Sequence, residues 1–163
     1  KAGDIWEKPY RVHNDNWKIA GCPVNGPMLA TEKGKIAIAW YTGADNSARV
    51  NVAFSKDIGR TFSEPIRIDL SMPLGRVDLE WINNNEVIVS WIESGDETSN
   101  IYARRVNINT SLSKETLVEK IPPGRISGYP QMEVVNNNVL FAWTEINKKT
   151  IVASKWLSLS AIK

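Results

Sequence analysis

The sequence predicts an all-β chain built from copies of one four-stranded unit, and three observations support this prediction. Short apolar runs rich in valine, isoleucine and aromatic residues recur along the chain, and none continues with the periodicity of a helix. One run in each copy ends in a tryptophan, at Trp40, Trp91 and Trp143, so that the tryptophans are 51 and 52 residues apart. Glycine or asparagine stands six residues before each tryptophan, which is typical of the tip of a β-hairpin.

The strands of each copy are predicted in the same order. The run before each hairpin tip predicts a first strand, and the run that ends in tryptophan predicts a second strand, which is buried on both faces because it is almost continuously apolar. A third strand is centred on Ala53, Ala103 and Ala153, at intervals of 50 residues. The first strands are predicted at residues 27–30, 78–82 and 130–135, and the hairpin tips at Gly34, Asn85 and Asn137.

The fourth strand is predicted from a second repeat, in which residues 61–68 match residues 5–12. The chain is therefore expected to begin with the outer strand of a preceding unit and to close on the third strand of its last unit, with about twelve strands in all. Four short strands in about 50 residues are typical of a blade of a β-propeller, so the predicted fold is a propeller fragment of about three blades, half of a six-bladed ring. Its parts are an outer strand at about 1–13 and blades at about 24–70, 75–120 and 127–163.

The composition narrows the class of function. The 163 residues include 20 lysines and arginines against 18 aspartates and glutamates, so the chain lacks the positive charge of a dedicated nucleic-acid binder. No apolar stretch is long enough to cross a membrane, and the first residues do not form a signal peptide.

Cys22, the one cysteine, excludes a disulfide within the chain and is interpreted as a small buried residue. With His13 or Met28 it has the ligand types for a soft metal such as copper, but the spacing matches no metal motif and no cofactor is predicted.

Three blades leave both ends of the predicted array uncovered, because closed propellers have about four to eight blades. The missing blades are expected from the remaining N-terminal half of a longer propeller. A second copy of the chain is the alternative partner, since exposed strand edges and half-buried blade faces favour exchange between copies. The repeated tryptophans are predicted to pack between neighbouring blades.

A loop between the third and fourth strands of the first blade carries a motif. Residues 55–62 read Ser-Lys-Asp-Ile-Gly-Arg-Thr-Phe and resemble the Asp-box of the sialidase-like propellers, also called BNR repeats. The aspartate can accept hydrogen bonds from N–H groups of the turn, and the glycine allows a backbone conformation that other residues resist. The resemblance implies a structural turn, since in that family the motif lies away from the catalytic site. Its defining positions are Ser55, Asp57, Gly59, Thr61 and Phe62.

The resemblance covers most of the chain. Residues 17–27, 73–78 and 127–130 are similar to segments in the C-terminal half of bacterial proteins labelled exo-α-sialidases. This implies a periplasmic or extracellular protein that handles a glycan or another anionic sugar, as a glycosidase when full length. The alternative is a non-catalytic propeller that serves as a binding module or a scaffold.

The resemblance also implies where a sugar would bind. Sialidases surround the substrate carboxylate with three arginines and use a tyrosine nucleophile, on loops that lead into the innermost strands. In those loops this chain has Arg76, Arg125 and Tyr129, and Asn25 is equivalent to Arg76 when the blades are aligned on their tryptophans. We therefore expect these four residues at one mouth of the channel, without a complete catalytic set.

Two of the candidate residues have a plainer interpretation. Arg76 can be solvated or paired with a carboxylate such as Asp78, as exposed arginines commonly are. Trp17 can stack on a sugar, but burial against an adjacent blade is the simpler interpretation.

Overall fold

The computed structural model describes residues 7–21, 24–124, 128–146 and 149–163. Cys22 and Arg125, to which predictions are attached above, lie outside the described residues. The described chain forms eleven strands in three antiparallel sheets, with two short 3-10 turns, and none of its helices is long and apolar enough to span a membrane.

Each sheet is a meander, in which strands that follow one another along the chain are also neighbours in space. The first sheet contains β1 (Met28–Glu32), β2 (Lys35–Thr42), β3 (Arg49–Ser55) and β4 (Ile66–Arg67). The second contains β5 (Pro73–Asn83), β6 (Glu86–Ser94), β7 (Ser99–Asn107) and β8 (Thr116–Ile121). The third contains β9 (Gln131–Val135), β10 (Asn138–Ile146) and β11 (Thr150–Ser158). The predicted fold class, an all-β fragment made of propeller blades, is confirmed.

The blades pack side by side through their first strands. β5 contacts β1 on one side and β9 on the other, so the first strands lie innermost and β4 and β8 lie outermost. One apolar core runs through all three blades. The third sheet has the order β11-β10-β9, and β11 pairs only with β10 among the described strands.

Residues 7–13 differ from the prediction. Their match to residues 61–68 predicts part of an outer strand, but they pair with no strand. The equivalent strand of the first blade, β4, pairs with β3. Residues 7–13 have no such neighbour, because the described residues contain no third strand of a preceding blade. The described chain accordingly has eleven strands instead of about twelve.

The hairpin tips lie where the sequence predicts them, but they turn in two different ways. Lys33 and Gly34 have φ of 47° and 81°, and Asn136 has φ of 56°, in the left-handed region that tight hairpins need. At the second tip the side chain of Asn83 accepts a hydrogen bond from the backbone N–H of Asn85 (2.8 Å). Asparagine is therefore used there for its side-chain oxygen and not for a positive φ.

Two of the three repeated tryptophans are buried between blades. Trp91 is fully buried and Trp143 is 7% exposed. Trp40 is only half-buried, which corrects the prediction for this position. Its outer side is covered by the N-terminal segment in place of a blade, with the His13 ring 6.4 Å from the Trp40 ring.

Trp81 joins the first two blades. Its indole Nε1 donates a hydrogen bond to the carbonyl oxygen of Ala30 (3.1 Å), and its ring lies 5.9 Å from that of Phe54. Trp81 is half-buried, and an indole N–H that is withdrawn from water needs an acceptor. This hydrogen bond therefore joins the inner strands of the first two blades.

Candidate functional site

A cavity of about 350 Å³ opens where the chain enters the inner strands of the blades. Three of the four residues predicted for the channel mouth, Asn25, Arg76 and Tyr129, lie in its wall, and the fourth, Arg125, is outside the described residues. The wall is formed by Val24, Asn25, Tyr41, Leu74, Arg76, Gly124 and Tyr129.

The backbone at Arg76 is held in an unusual conformation. Gly75 and Arg76 have φ of 82° and 55°, and the pairing of β5 with β6 shifts register at this point. The Asn25 side chain spans this irregular segment, because its Nδ2 donates to the Leu74 carbonyl oxygen (3.0 Å) and its Oδ1 accepts from the Arg76 N–H (3.0 Å). A Cβ on Gly75 would lie 2.7 Å from Asn25 Cγ, so this close approach requires glycine.

Asn25 therefore has a structural role that its alignment with Arg76 did not indicate, because it positions the backbone of the arginine in the next blade. Its predicted contact with a substrate stays a prediction. Left-handed backbone in a residue other than glycine is commonly held by surrounding structure at ligand sites.

The side chain of Arg76 reaches across to the third blade. Its Nη1 donates to the carbonyl oxygen of Gly128 (2.6 Å), and its guanidinium carbon lies 5.5 Å from the centroid of the Tyr129 ring. The Tyr129 hydroxyl donates to the carbonyl oxygen of Val24, in the segment that leads into the first blade. Arg76 and Tyr129 thus connect the loops of three blades around the cavity.

The cavity wall contains a cation and no carboxylate among the described residues. Asp78, two residues beyond Arg76, accepts hydrogen bonds from the N–H groups of Leu79 (2.9 Å) and Met132 (2.7 Å). Burial raises the pKa of the Asp78 carboxyl, and burial together with the charge of Glu133 raises the pKa of Glu80. The Asp78 carboxyl thus joins β5 to β9, whereas neither Asp78 nor Glu80 lies in the cavity wall, so the wall is suited to an anion.

Trp17 packs on its own blade. Its ring meets that of Tyr41 edge-on, with centroids 5.6 Å apart, and a Cβ on Gly43 would lie 3.1 Å from Trp17 Nε1. Within the described ranges, no group of three or more histidines, cysteines, aspartates or glutamates is placed to hold a metal ion.

The turn with the Asp-box pattern lies at the end of the first blade that is farther from the cavity. The cavity lies where β1 begins, whereas the turn follows β3, which runs parallel to β1 and ends beside the end of β1. Ser55 Oγ accepts from the Gly59 N–H (2.8 Å) and donates to Asp57 Oδ1 (2.8 Å). The Asp57 carboxylate accepts from the N–H (2.9 Å) and the hydroxyl (2.7 Å) of Thr61. Phe62 is half-buried behind the turn.

These hydrogen bonds, led by the one from the Thr61 hydroxyl, lower the pKa of Asp57 to about 2. A carboxyl with a lowered pKa in the folded protein stabilises the fold above its unfolded pKa near 4, and this contribution is lost as the pH falls towards 2. We expect Asp57→Asn to flatten the rise of stability between about pH 2 and 4, measured by urea unfolding at several pH values. An unchanged slope in the variant would contradict this.

Glu93 is a buried residue that sequence reasoning missed. Its carboxylate accepts hydrogen bonds from the N–H groups of Leu70 (2.9 Å) and Met72 (2.8 Å) and from Trp91 Nε1 (2.7 Å). It thereby holds the segment that connects the first blade to the second. The sequence contains a pattern that could have identified this residue, because a glutamate follows two residues after the repeated tryptophan both at Glu93 and at Glu145.

The chain matches no known sequence family and no curated protein. Among solved structures it is similar to one described as the Hadza microbial sialidase Hz136, with 14% identity and a TM-score of 0.48. That similarity covers 85% of this chain and 34% of the sialidase, so the chain spans about a third of the length of that protein.

Proposed function

We propose that this chain provides an anionic-sugar site of a sialidase-like propeller, and that Arg76 contacts the carboxylate of the sugar. The proposal rests on one observation: a positioned guanidinium lies in a cavity wall whose described residues include no carboxylate. The planar guanidinium fork matches carboxylate geometry, which makes arginine the suitable residue for such a ligand.

The rest of the cavity suits the body of a sugar. Tyr41 and Tyr129 provide aromatic surface beside Arg76, and Leu74 provides apolar surface. A cavity of about 350 Å³ is at the small end of the range for small-molecule sites, which fits one sugar unit.

Binding without hydrolysis is the function proposed for this chain. Glycoside hydrolysis needs an acid and a nucleophile on either side of the scissile bond, and the wall formed by the described residues provides no carboxyl group for the acid. In a full-length glycosidase the acid would come from other blades. We therefore expect no release of fluorophore when this chain is incubated with a fluorogenic sialoside.

The test of binding is calorimetric titration of the chain with sialyllactose, with neutral lactose as the ligand control. Arg76→Asn removes the cation and keeps a residue that tolerates the left-handed backbone. We expect an affinity about 10-fold to 100-fold weaker, since a hydrogen bond to a charged group contributes about 1.5–3 kcal/mol.

Arg60→Asn is the matched protein control, because Arg60 is an exposed arginine in the turn at the opposite edge of the first blade. It makes the same change in net charge and should leave the affinity unchanged. Equal binding of lactose and sialyllactose, or equal binding by Arg76→Asn and the parent chain, would contradict the proposal.

A further inference from the structure

Asn25 is followed by Gly26, and this is the only asparagine–glycine pair in the sequence. The side-chain amide carbon of an asparagine lies within reach of the backbone nitrogen of the next residue, so the two can close a ring. A glycine in the next position has no Cβ to crowd the nitrogen. The pair therefore has the chemistry for a reaction of the chain with itself.

The structure leaves the glycine of this pair open to solvent. Gly26 is exposed, and a Cβ placed on it would meet no atom within 4 Å. Residues 24–27 belong to no strand of the described sheets, and β1 begins only at Met28. Val24, on the other side of Asn25, is 48% exposed. The backbone that has to bend to close the ring thus lies at the surface, outside the hydrogen-bonded sheet.

The asparagine of the pair is held by the next blade. Its Nδ2 donates to the Leu74 carbonyl oxygen, and its Oδ1 accepts from the Arg76 N–H, both at 3.0 Å. These hydrogen bonds keep the amide on β5, so ring closure takes place from states in which residues 24–27 have moved away from β5. They are also the contacts that a change in the amide would break.

We propose that Asn25 is a site of spontaneous deamidation, and that the product disables the anion site at Arg76. The second part rests on the function proposed above. The backbone nitrogen of Gly26 gives its proton to a solvent base and attacks Cγ of Asn25, whose side-chain nitrogen takes up a proton and leaves as ammonia. The product is a succinimide ring, and water opens it at either carbonyl to give aspartate or isoaspartate.

Either product loses a hydrogen bond to β5. A carboxylate has no N–H to donate, so one of its oxygens would face the Leu74 carbonyl oxygen where Nδ2 now donates at 3.0 Å. Two acceptors in that position repel each other. The second oxygen of an aspartate can still accept from the Arg76 N–H, whereas isoaspartate lengthens the backbone by one carbon and displaces the side chain. The left-handed segment at Gly75 and Arg76 therefore loses part of its support.

The charge of the product acts on the ligand directly. Asn25 and Arg76 both lie in the cavity wall, whose described residues include no carboxylate. Deamidation places a negative charge in that wall, where it repels an anionic ligand and attracts the guanidinium that would bind it. One reaction at Asn25 thus converts a wall suited to an anion into a wall that repels one.

Peptide mass spectrometry of the chain after incubation at neutral and mildly alkaline pH tests the modification. We expect Asn25 to lose its amide nitrogen, faster at the higher pH because the attacking nitrogen has to lose its proton, with isoaspartate among the products. Asn109 is the control in the same sample, since it is exposed but is followed by Thr110, whose branched side chain crowds the nitrogen. An intact Asn25, or equal conversion of Asn109, would overturn the proposal.

Gly26→Ala is the matched variant that should block the reaction. Its Cβ meets open space, and Gly26 is not among the glycines with positive φ, so the fold accepts alanine there. The Cβ crowds the attacking nitrogen. We expect this variant to keep its amide and its affinity for sialyllactose through an incubation in which the parent chain loses both. Equal loss of affinity in the two chains would show that deamidation is not the cause.

Asn25→Asp tests the effect of the product. We expect an affinity for sialyllactose about 10-fold weaker, from repulsion between like charges, and a lower urea midpoint, from the lost hydrogen bond to Leu74. Asn109→Asp makes the same change in charge in the turn after β7, at the end of the second blade farther from the cavity, and should alter neither value. If Asn25→Asp matched the parent chain in both, the product would not disable the site.

The two proposals fail in different ways. If the parent chain did not bind sialyllactose, the function proposed for Arg76 would be wrong. The mass spectra would still decide whether Asn25 is the modified residue, and the urea midpoint of Asn25→Asp would still decide whether the product loosens the cavity wall.

Discussion

Trp91→Ala is expected to lower the free energy of unfolding by about 3–5 kcal/mol, the cost typical of deleting a fully buried aromatic side chain. The Trp91 ring is stacked at 6.0 Å from that of Tyr102 and lies 5.7 Å from the Arg104 guanidinium. Its removal also deprives the buried Glu93 of the indole N–H that donates to its carboxylate. The cavity and the lost donor act together, so we place this variant at the upper end of the range.

The other tryptophans provide a graded control for the same substitution. Trp143 is 7% exposed, Trp40 is half-buried and Trp156 is 56% exposed, so the loss of stability should decrease in that order. Urea unfolding at low protein concentration measures the series without a contribution from association. If Trp156→Ala proved as destabilising as Trp91→Ala, burial between blades would not explain the repeated tryptophan.

The architecture could be predicted because every blade has to bury the same strand and the same tryptophan at equivalent positions. A strand buried on both faces has to be almost continuously apolar, and the tryptophan between blades has to recur at the same place. These requirements recur at intervals of about 50 residues, and their repetition identified the strands and the hairpin tips. The turn at residues 55–62 could also be predicted from the sequence, because its hydrogen bonds join residues that are close in sequence.

The features that were missed depend on contacts between distant residues. Asn25 was aligned with Arg76 by its position in the blade, but its amide bonds the backbone 49 and 51 residues away. A repeat shows which residues are equivalent and does not show which of them meet across a blade boundary. The half-exposed Trp40 follows from the same fact, since its burial depends on a blade that the described chain does not contain.

The carboxylate of Asp78 is the second place where one substitution should have a large effect. Its two oxygens accept hydrogen bonds from the N–H groups of Leu79 and Met132. Met132 lies on β9, the first strand of the third blade. Asp78→Ala leaves these buried donors without acceptors, at about 1–3 kcal/mol each. We therefore expect a loss of about 2–6 kcal/mol, measured by urea unfolding. Asp78→Asn should cost less, since its amide oxygen can still accept one of them.

The pH dependence separates the charge of Asp78 from its hydrogen bonds. Burial, the leading cause, raises its pKa in the folded protein, so the folded state holds this proton more tightly than the unfolded state does. The contribution of Asp78 to stability is therefore present in full below the unfolded pKa near 4 and declines as the pH rises through the higher folded pKa. Asp78→Asn does not titrate, so the advantage of the parent chain over this variant should shrink as the pH rises above about 4. An advantage that grows with pH would mean that the hydrogen bonds from Leu79 and Met132 outweigh burial, and that the charged carboxylate is the form that holds the second and third blades together.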